Sequence, residues 1–289
     1  MIDNLLYLSP PTARSQIDHQ QCEVVASQGN MVVACDHIPD AMVSRPVGRL
    51  DESSAADYNW DASTGSDERA FYIRGTNRRC RDVVAALRHL GQVFPPGSVS
   101  FDSMVAWGHS YGGATVATLA CRDRRFSKVA MLDGWMWPVP DADRRRGTEA
   151  SLLLLSAHHW SLGHFQVPLR AELVRNAAQG DDYVFLETSH QNFCDTPLMA
   201  NQAALPRGDF LGTTNAATVR TTTQLLVSTF FLPDGTNGGT ISGGPGQDFL
   251  GGILDRANCS ARRRTEITAG LRLAREMPEG YASDKYGSY

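Results

Sequence analysis

Short, uninterrupted apolar runs mark this chain at Leu5–Leu8, Met31–Cys35, Ser103–Trp107, Lys128–Leu132, Leu152–Leu155 and Tyr183–Leu186. Runs of that length without polar alternation predict strands buried on both faces. Between them, apolar residues recur at helical intervals. Phe71, Ile73, Val83, Val84, Leu87 and Leu90 predict a long amphipathic helix from about Asp67 to Leu90. A short helix is expected over residues 20–28, stopped by Gly29, and a closing helix from Val219 to Phe231. Buried strands joined by helical crossovers imply an α/β fold, with a mostly parallel sheet and helices on both faces. The polar stretch of about 45–65 reads as a long loop.

The pattern changes beyond Pro233. Residues 235–252 contain eight glycines, which a packed core disfavours. Residues 1–233 are therefore expected to form the folded domain. Residues 234–289 are expected to be a glycine-rich linker and tail, with a short helix at about 262–277 using Ile267, Leu271 and Ala274. The segment Gly243–Leu250 matches a calcium-binding nonapeptide, but that architecture needs stacked copies and a single copy is found.

The most specific local signal is Gly108-His109-Ser110-Tyr111-Gly112, set between the run ending at Trp107 and a helix beginning near Gly113. A G-x-S-x-G between strand and helix is the nucleophile elbow of an α/β-hydrolase. The turn is so tight that small residues must flank the serine two positions away on either side. It leaves the hydroxyl at the positive end of a helix, where developing negative charge is favoured.

Composition narrows the function classes. A net charge of -4 over 289 residues argues against nucleic acid as a partner. The arginines at 122, 124 and 125, at 144–146 and at 262–264 lie near acids and read as solvated faces. No apolar run is long enough to span a bilayer. The first residues lack a basic n-region and a long apolar stretch, so no signal peptide is visible. The default expectation is a cytoplasmic protein, or a secreted one if the amino end is truncated, with at most peripheral membrane contact. The six cysteines show no C-x-x-C pair or metal-type spacing, which favours reduced, buried thiols and no metal site.

In α/β-hydrolases the nucleophile is followed along the chain by an acid and then a histidine. Ser110 is followed by Asp133 at the end of the next strand, and His190 lies just past Tyr183–Leu186. All three fall at carboxyl ends of strands, where open parallel sheets place their sites. An aspartate at a strand end also serves as an ordinary loop or cap residue. His37, His158 and His159 follow strands too, and order and spacing alone leave His158 or His159 as rivals to His190. His109 is read as part of the elbow, pointing away from the reaction.

Three separated motifs carry a family resemblance: Gly108 to Thr115, Leu132-Asp133-Gly134-Trp135-Met136-Trp137-Pro138, and Ser189-His190-Gln191-Asn192-Phe193. Together they resemble the platelet-activating factor acetylhydrolase family, of the plasma/intracellular serine-lipase type with its fungal and bacterial relatives. Weaker similarity runs from about Leu5 to Phe231, and the glycine-rich tail lies outside it. The resemblance implies a catalytic triad of Ser110, Asp133 and His190. It also implies calcium-independent removal of acetyl or other short acyl groups from phospholipids, without metal or organic cofactor. Trp135, Met136 and Trp137 beside the acid are candidate substrate-binding residues, forming a wall that shortens the acyl pocket. Core packing accounts for at least one of them equally well.

The chain departs from the family in two places. One oxyanion-hole donor is expected to be the Tyr111 N–H. The other comes from the loop after Leu8, where the family carries a His/Pro-Gly-x-Gly turn and this chain reads Ser9-Pro10-Pro11-Thr12-Ala13-Arg14. Pro11 has no N–H, so Thr12 or Ala13 must supply it. Loss of one such donor costs ~100–1000-fold in rate. The family's sheet also has further strands before the one at Leu5, so the first strands are missing here or the amino end is trimmed. The expected activity is a serine esterase acting on short-chain esters of phospholipid-like substrates. The alternatives are an acetylesterase for a small secondary metabolite and a weakly active or non-catalytic hydrolase-fold binding protein.

Overall fold

The apolar runs become the strands of one seven-stranded sheet, in the order β2-β1-β3-β4-β5-β6-β7. The structure is a computed structural model, and it describes residues 2–8, 19–35, 37, 68–159, 166–199, 211–234 and 248–277. In chain order the elements are β1 (Ile2–Leu8), α1 (His19–Ala26), β2 (Met31–Cys35), α2 (Glu68–Val93), β3 (Val99–His109) and α3 (Tyr111–Arg122). There follow β4 (Phe126–Leu132), α4 (Asp141–Arg146), β5 (Thr148–Ala157), α5 (Gln166–Arg175), β6 (Ala177–Phe185) and α6 (Thr196–Met199). The chain then continues through α7 (Ala216–Phe231), α8 (Phe249–Arg256), α9 (Ala261–Ala269) and β7 (Leu271–Leu273). Strands β1 to β6 pair in parallel, and β7 runs antiparallel to β6.

Both faces of β4, β5 and the end of β6 are buried, which is why these strands lack polar alternation. Successive residues point to opposite faces. Trp107, Ala130, Leu132, Leu153 and Leu155 face one way, toward α7 and α8. Ala106, Val129, Met131, Leu152 and Leu154 face the other, toward α2 and α3. Each large side chain so buried contributes about 1.5–3 kcal/mol. On α2 the buried stripe is Thr76, Arg79, Cys80, Val83 and Leu87, the spacing of one helical face. This is the α/β-hydrolase architecture, with the functional ends of β3, β4, β5 and β6 side by side.

The structure departs from the sequence reading at the carboxyl end. Beyond the run at Tyr183–Leu186 the sheet gains a further strand, β7. The helix expected over 262–277 ends at Ala269, and Leu271 enters β7 instead. Glycine content alone also misjudges the segment before it. Phe249, Leu250, Ile253 and Leu254 on α8 are all buried, and Phe249 packs on Phe230 at 5.9 Å. The buried Arg256 guanidinium donates to the Leu232 carbonyl at 2.8 Å and to that of Pro233. Lys128 reaches the same Leu232 carbonyl at 2.6 Å. Two cations thereby converge on the carbonyls just past the end of α7. The loop read at 45–65, the nonapeptide-like residues 243–247 and the last residues of the tail lie outside the described residues.

Among the described residues no helix is long and apolar enough to cross a membrane. Not all the basic runs are solvated faces. Arg144 is buried, and it donates to Asp141, Glu172 and the Val139 carbonyl. A buried guanidinium needs that many acceptors to offset its desolvation.

Candidate active site

The chain reverses at Ser110 between β3 and α3 with φ 56 and ψ -121, a left-handed conformation for a residue with a side chain. Such a conformation costs on the order of 1–3 kcal/mol and persists where the surroundings over-determine it. Here they do. A Cβ on Gly108 would meet the Gly112 carbonyl carbon and oxygen at 2.4 Å, so the turn closes only with glycine at 108. The Ser110 N–H donates to the Leu132 carbonyl at 3.1 Å, and the Ser110 carbonyl accepts from the Trp135 N–H at 2.9 Å. A Cβ on Gly113 would sit 2.6 Å from the Gly134 Cα. The first turn of α3 and the loop after β4 therefore touch backbone to backbone.

That loop carries Asp133, which is fully buried and also left-handed, with φ 46. Its N–H donates to the Leu155 carbonyl at 2.7 Å. Its Oδ1 accepts the Ala157 N–H at 2.7 Å, and its Oδ2 lies 2.6 Å from His190 Nδ1. A buried carboxylate is tolerated when its oxygens are occupied in this way, and a charge-assisted bond is stronger than a neutral one.

His190 opens a 3-10 turn, His190–Phe193, directly after β6 and the Glu187–Ser189 corner. The Asn192 side chain holds this turn by accepting the Ser189 N–H at 2.8 Å and the Gly212 N–H at 3.1 Å. Phe193 packs edge-on against Phe185 at 5.5 Å. The His190 ring is partly exposed, with its Nδ1 edge fixed by Asp133.

His109 does not point away from this site. Its ring stacks on His190 with centroids 4.4 Å apart and planes at 33°, and its Nε2 donates to the His190 carbonyl at 3.2 Å. Burial, and then the charge His190 can carry, push its proton affinity well below the usual histidine value. His109 is therefore a neutral, proton-on-Nε2 support beneath His190. Strand parity could have found it, since residues 107 and 109 share a face and Trp107 faces α7.

The rival histidines turn elsewhere. His158 Nδ1 accepts the Glu187 N–H at 3.1 Å, and His159 Nε2 lies 3.8 Å from Glu187 Oε2. Burial, then His159, lower the proton affinity of His158, so it is neutral near pH 7. His37 pairs with Asp82 on α2 at 3.2 Å. Of these four histidines, His190 is the one on Asp133.

Tyr111 is the first residue of α3. Its buried side chain is structural, donating to the Tyr72 carbonyl at 2.6 Å under the Arg79 guanidinium, which lies 4.3 Å from the ring centroid. Thr12 lies outside the described residues. Met136 is wholly buried and packs in the core cluster that holds Tyr111 and Val139. Trp135 and Trp137 are half-buried and 5.9 Å apart, and Tyr72 contacts both at 4.6 and 5.8 Å. Arg69 holds this loop under α2, donating to the Trp137 carbonyl at 3.1 Å and to Asp141.

Residues 96–214, which span the elbow and both partner loops, match the family model described as platelet-activating factor acetylhydrolase, isoform II. The fold superposes on a ferulic acid esterase from Streptomyces cinnamoneus with TM-score 0.62 and 25% identity, over 80% of this chain and 67% of that one. The chain is an α/β-hydrolase. It is distantly related to esterases of these two kinds. Curated relatives include the platelet-activating factor acetylhydrolases of Gallus gallus (23% identical over 165 residues, 47% of this chain) and Canis lupus familiaris (31% over 102 residues, 34% of this chain). The matched stretches span 39% and 22% of those proteins' lengths.

Proposed function

We propose that this α/β-hydrolase is a serine esterase cleaving short-chain carboxylic esters through an acyl-enzyme, with Ser110, His190 and Asp133 as its triad. The observation that carries the reading is the 2.6 Å contact of the buried Asp133 carboxylate with His190 Nδ1, beside a strained serine elbow. With Nδ1–H held by Asp133, the lone pair of His190 is on Nε2. That nitrogen takes the Ser110 proton as Oγ attacks the ester carbonyl, and passes it to the leaving alcohol. Water then attacks the acyl-serine by the same route in reverse, releasing the acid and restoring Ser110. The negative oxygen of each tetrahedral intermediate is received by the Tyr111 N–H at the start of α3, with a second donor from the loop holding Thr12.

The half-buried Trp135 and Trp137 beside the acid support a small acyl pocket. The relatives named platelet-activating factor acetylhydrolase support acetylated, phospholipid-like substrates. A second reading rests on the aromatic group of Tyr72, Trp135 and Trp137, which also suits an aromatic acyl group like that named for the Streptomyces neighbour.

Rates on p-nitrophenyl acetate, butyrate and octanoate, with acetylated phospholipid and methyl ferulate in parallel, test the proposal. Acetate is expected to be fastest, with acetylated phospholipid above methyl ferulate. Equal rates on acetate and octanoate would remove the short-acyl preference. Preference for methyl ferulate would select the second reading.

A further inference from the structure

We propose that His158, His159 and Glu187 form a binding site for a first-row divalent cation of borderline softness, with Zn2+ as the reference case. These residues sit where β5 and β6 end, on the rim beside the His190 turn, and one ligand atom from each lies within 4.8 Å of the other two. The site shares no side chain with Ser110, Asp133 or His190, so it stands or falls independently of the esterase reading.

The backbone holds the three groups together before any ion arrives. The His159 N–H donates to the Thr188 carbonyl at 3.0 Å and the His158 N–H to the Thr188 hydroxyl at 3.3 Å. Glu187 has φ 55, a conformation that a residue with a side chain adopts at a cost. That corner turns its carboxylate back onto the histidine pair. His158 Nδ1 is 3.4 Å from Glu187 Oε1, and His159 Nε2 is 3.8 Å from Oε2. With metal–ligand bonds of about 2.0–2.2 Å, neighbouring ligands of a tetrahedral ion stand roughly 3.3–3.6 Å apart. The partly exposed His159 and the half-exposed Glu187 close the remaining gap by side-chain rotation.

The donor set selects the ion. Neutral imidazoles with one carboxylate suit zinc, nickel, cobalt or copper, whereas calcium and magnesium take oxygen ligands. His158 Nδ1 accepts the Glu187 N–H at 3.1 Å and lies beside the Glu187 carboxylate, so an ion bound at Nδ1 takes the place of that hydrogen bond. The Thr213 hydroxyl donates to Glu187 Oε2 at 3.2 Å and orients the carboxylate from outside. Three protein ligands leave a fourth position for water, and Glu187 gives the ion a path from solvent.

The test is calorimetric titration of the chelator-dialysed full chain with ZnCl2 in a non-coordinating buffer, repeated with Glu187→Gln and His159→Gln. Both variants are checked for an unchanged melting temperature without metal. One equivalent is expected to bind with micromolar affinity or tighter, weakened at least about tenfold in each variant, and MgCl2 gives no heat. Co2+ is expected to give d–d bands without a thiolate charge-transfer band, which excludes the cysteines as ligands. No binding at millimolar Zn2+, unchanged affinity in both variants, or a thiolate band would overturn the proposal.

Discussion

His109 and His190 stack at 4.4 Å, and the buried ring donates its Nε2 proton to the carbonyl of the partly exposed one. The residue next to the proposed nucleophile therefore anchors the backbone of the proposed base. Elbow and histidine loop are joined directly, as elbow and acid loop are through Ser110 and Trp135.

A first prediction concerns catalysis. His109→Phe keeps a ring under His190 but removes the donor. A hydrogen bond of this kind contributes about 0.5–1.5 kcal/mol. The kcat for p-nitrophenyl acetate is expected to fall roughly three- to tenfold with KM little changed, and His109→Gln, which retains an N–H donor, should recover part of the loss. A change confined to KM would show that His109 does not position His190.

A second concerns stability against pH. The folded chain holds His109 well below its ordinary 6.5, chiefly through burial. On acidification the unfolded chain takes up a proton that the folded chain refuses. The stabilisation is complete above that ordinary value and is lost as pH falls below it, at up to about 1.4 kcal/mol per pH unit. Melting temperatures measured from pH 8 to 5 should fall more steeply for the wild type than for His109→Gln. Parallel curves would contradict this.

Much of the fold is legible in the sequence because its central strands β4 and β5 are buried on both faces. Leu152–Leu155 has no alternation to misread, and Gly108 announces a turn that closes only without a side chain there. Asp133 is a candidate from its place after β4 alone. Spacing does not decide between His190 and His158 or His159, since all three follow strands, and contact with Asp133 is a tertiary fact. At the carboxyl end the glycines beyond Pro233 obscure the helical spacing of Phe249, Leu250, Ile253 and Leu254. A three-residue strand such as β7 is too short to show a period.

The carboxyl-terminal segment gives a third prediction. Ile253 is 0% exposed, so Ile253→Ala should cost about 2–5 kcal/mol in urea unfolding. A residue in a loose tail would change stability by about 0.5 kcal/mol or less.

Thiol chemistry gives a fourth. Burial pushes Cys80 and Cys121 up to about 12, which leaves almost no thiolate at pH 8. Iodoacetamide should leave both unmodified in the native protein and label both in guanidinium, as read by peptide mass spectrometry. Native-state labelling of either would contradict the packing of α2 against α3.

The central claim is that Ser110 is a nucleophile activated by the His190–Asp133 pair. Its most direct test is labelling with a fluorophosphonate probe, followed by mass spectrometry of the modified peptide. The expected result is one adduct, on Ser110, absent in Ser110→Ala and strongly slowed in His190→Ala. An unlabelled wild-type protein, or an adduct on another serine that persists in Ser110→Ala, would contradict it.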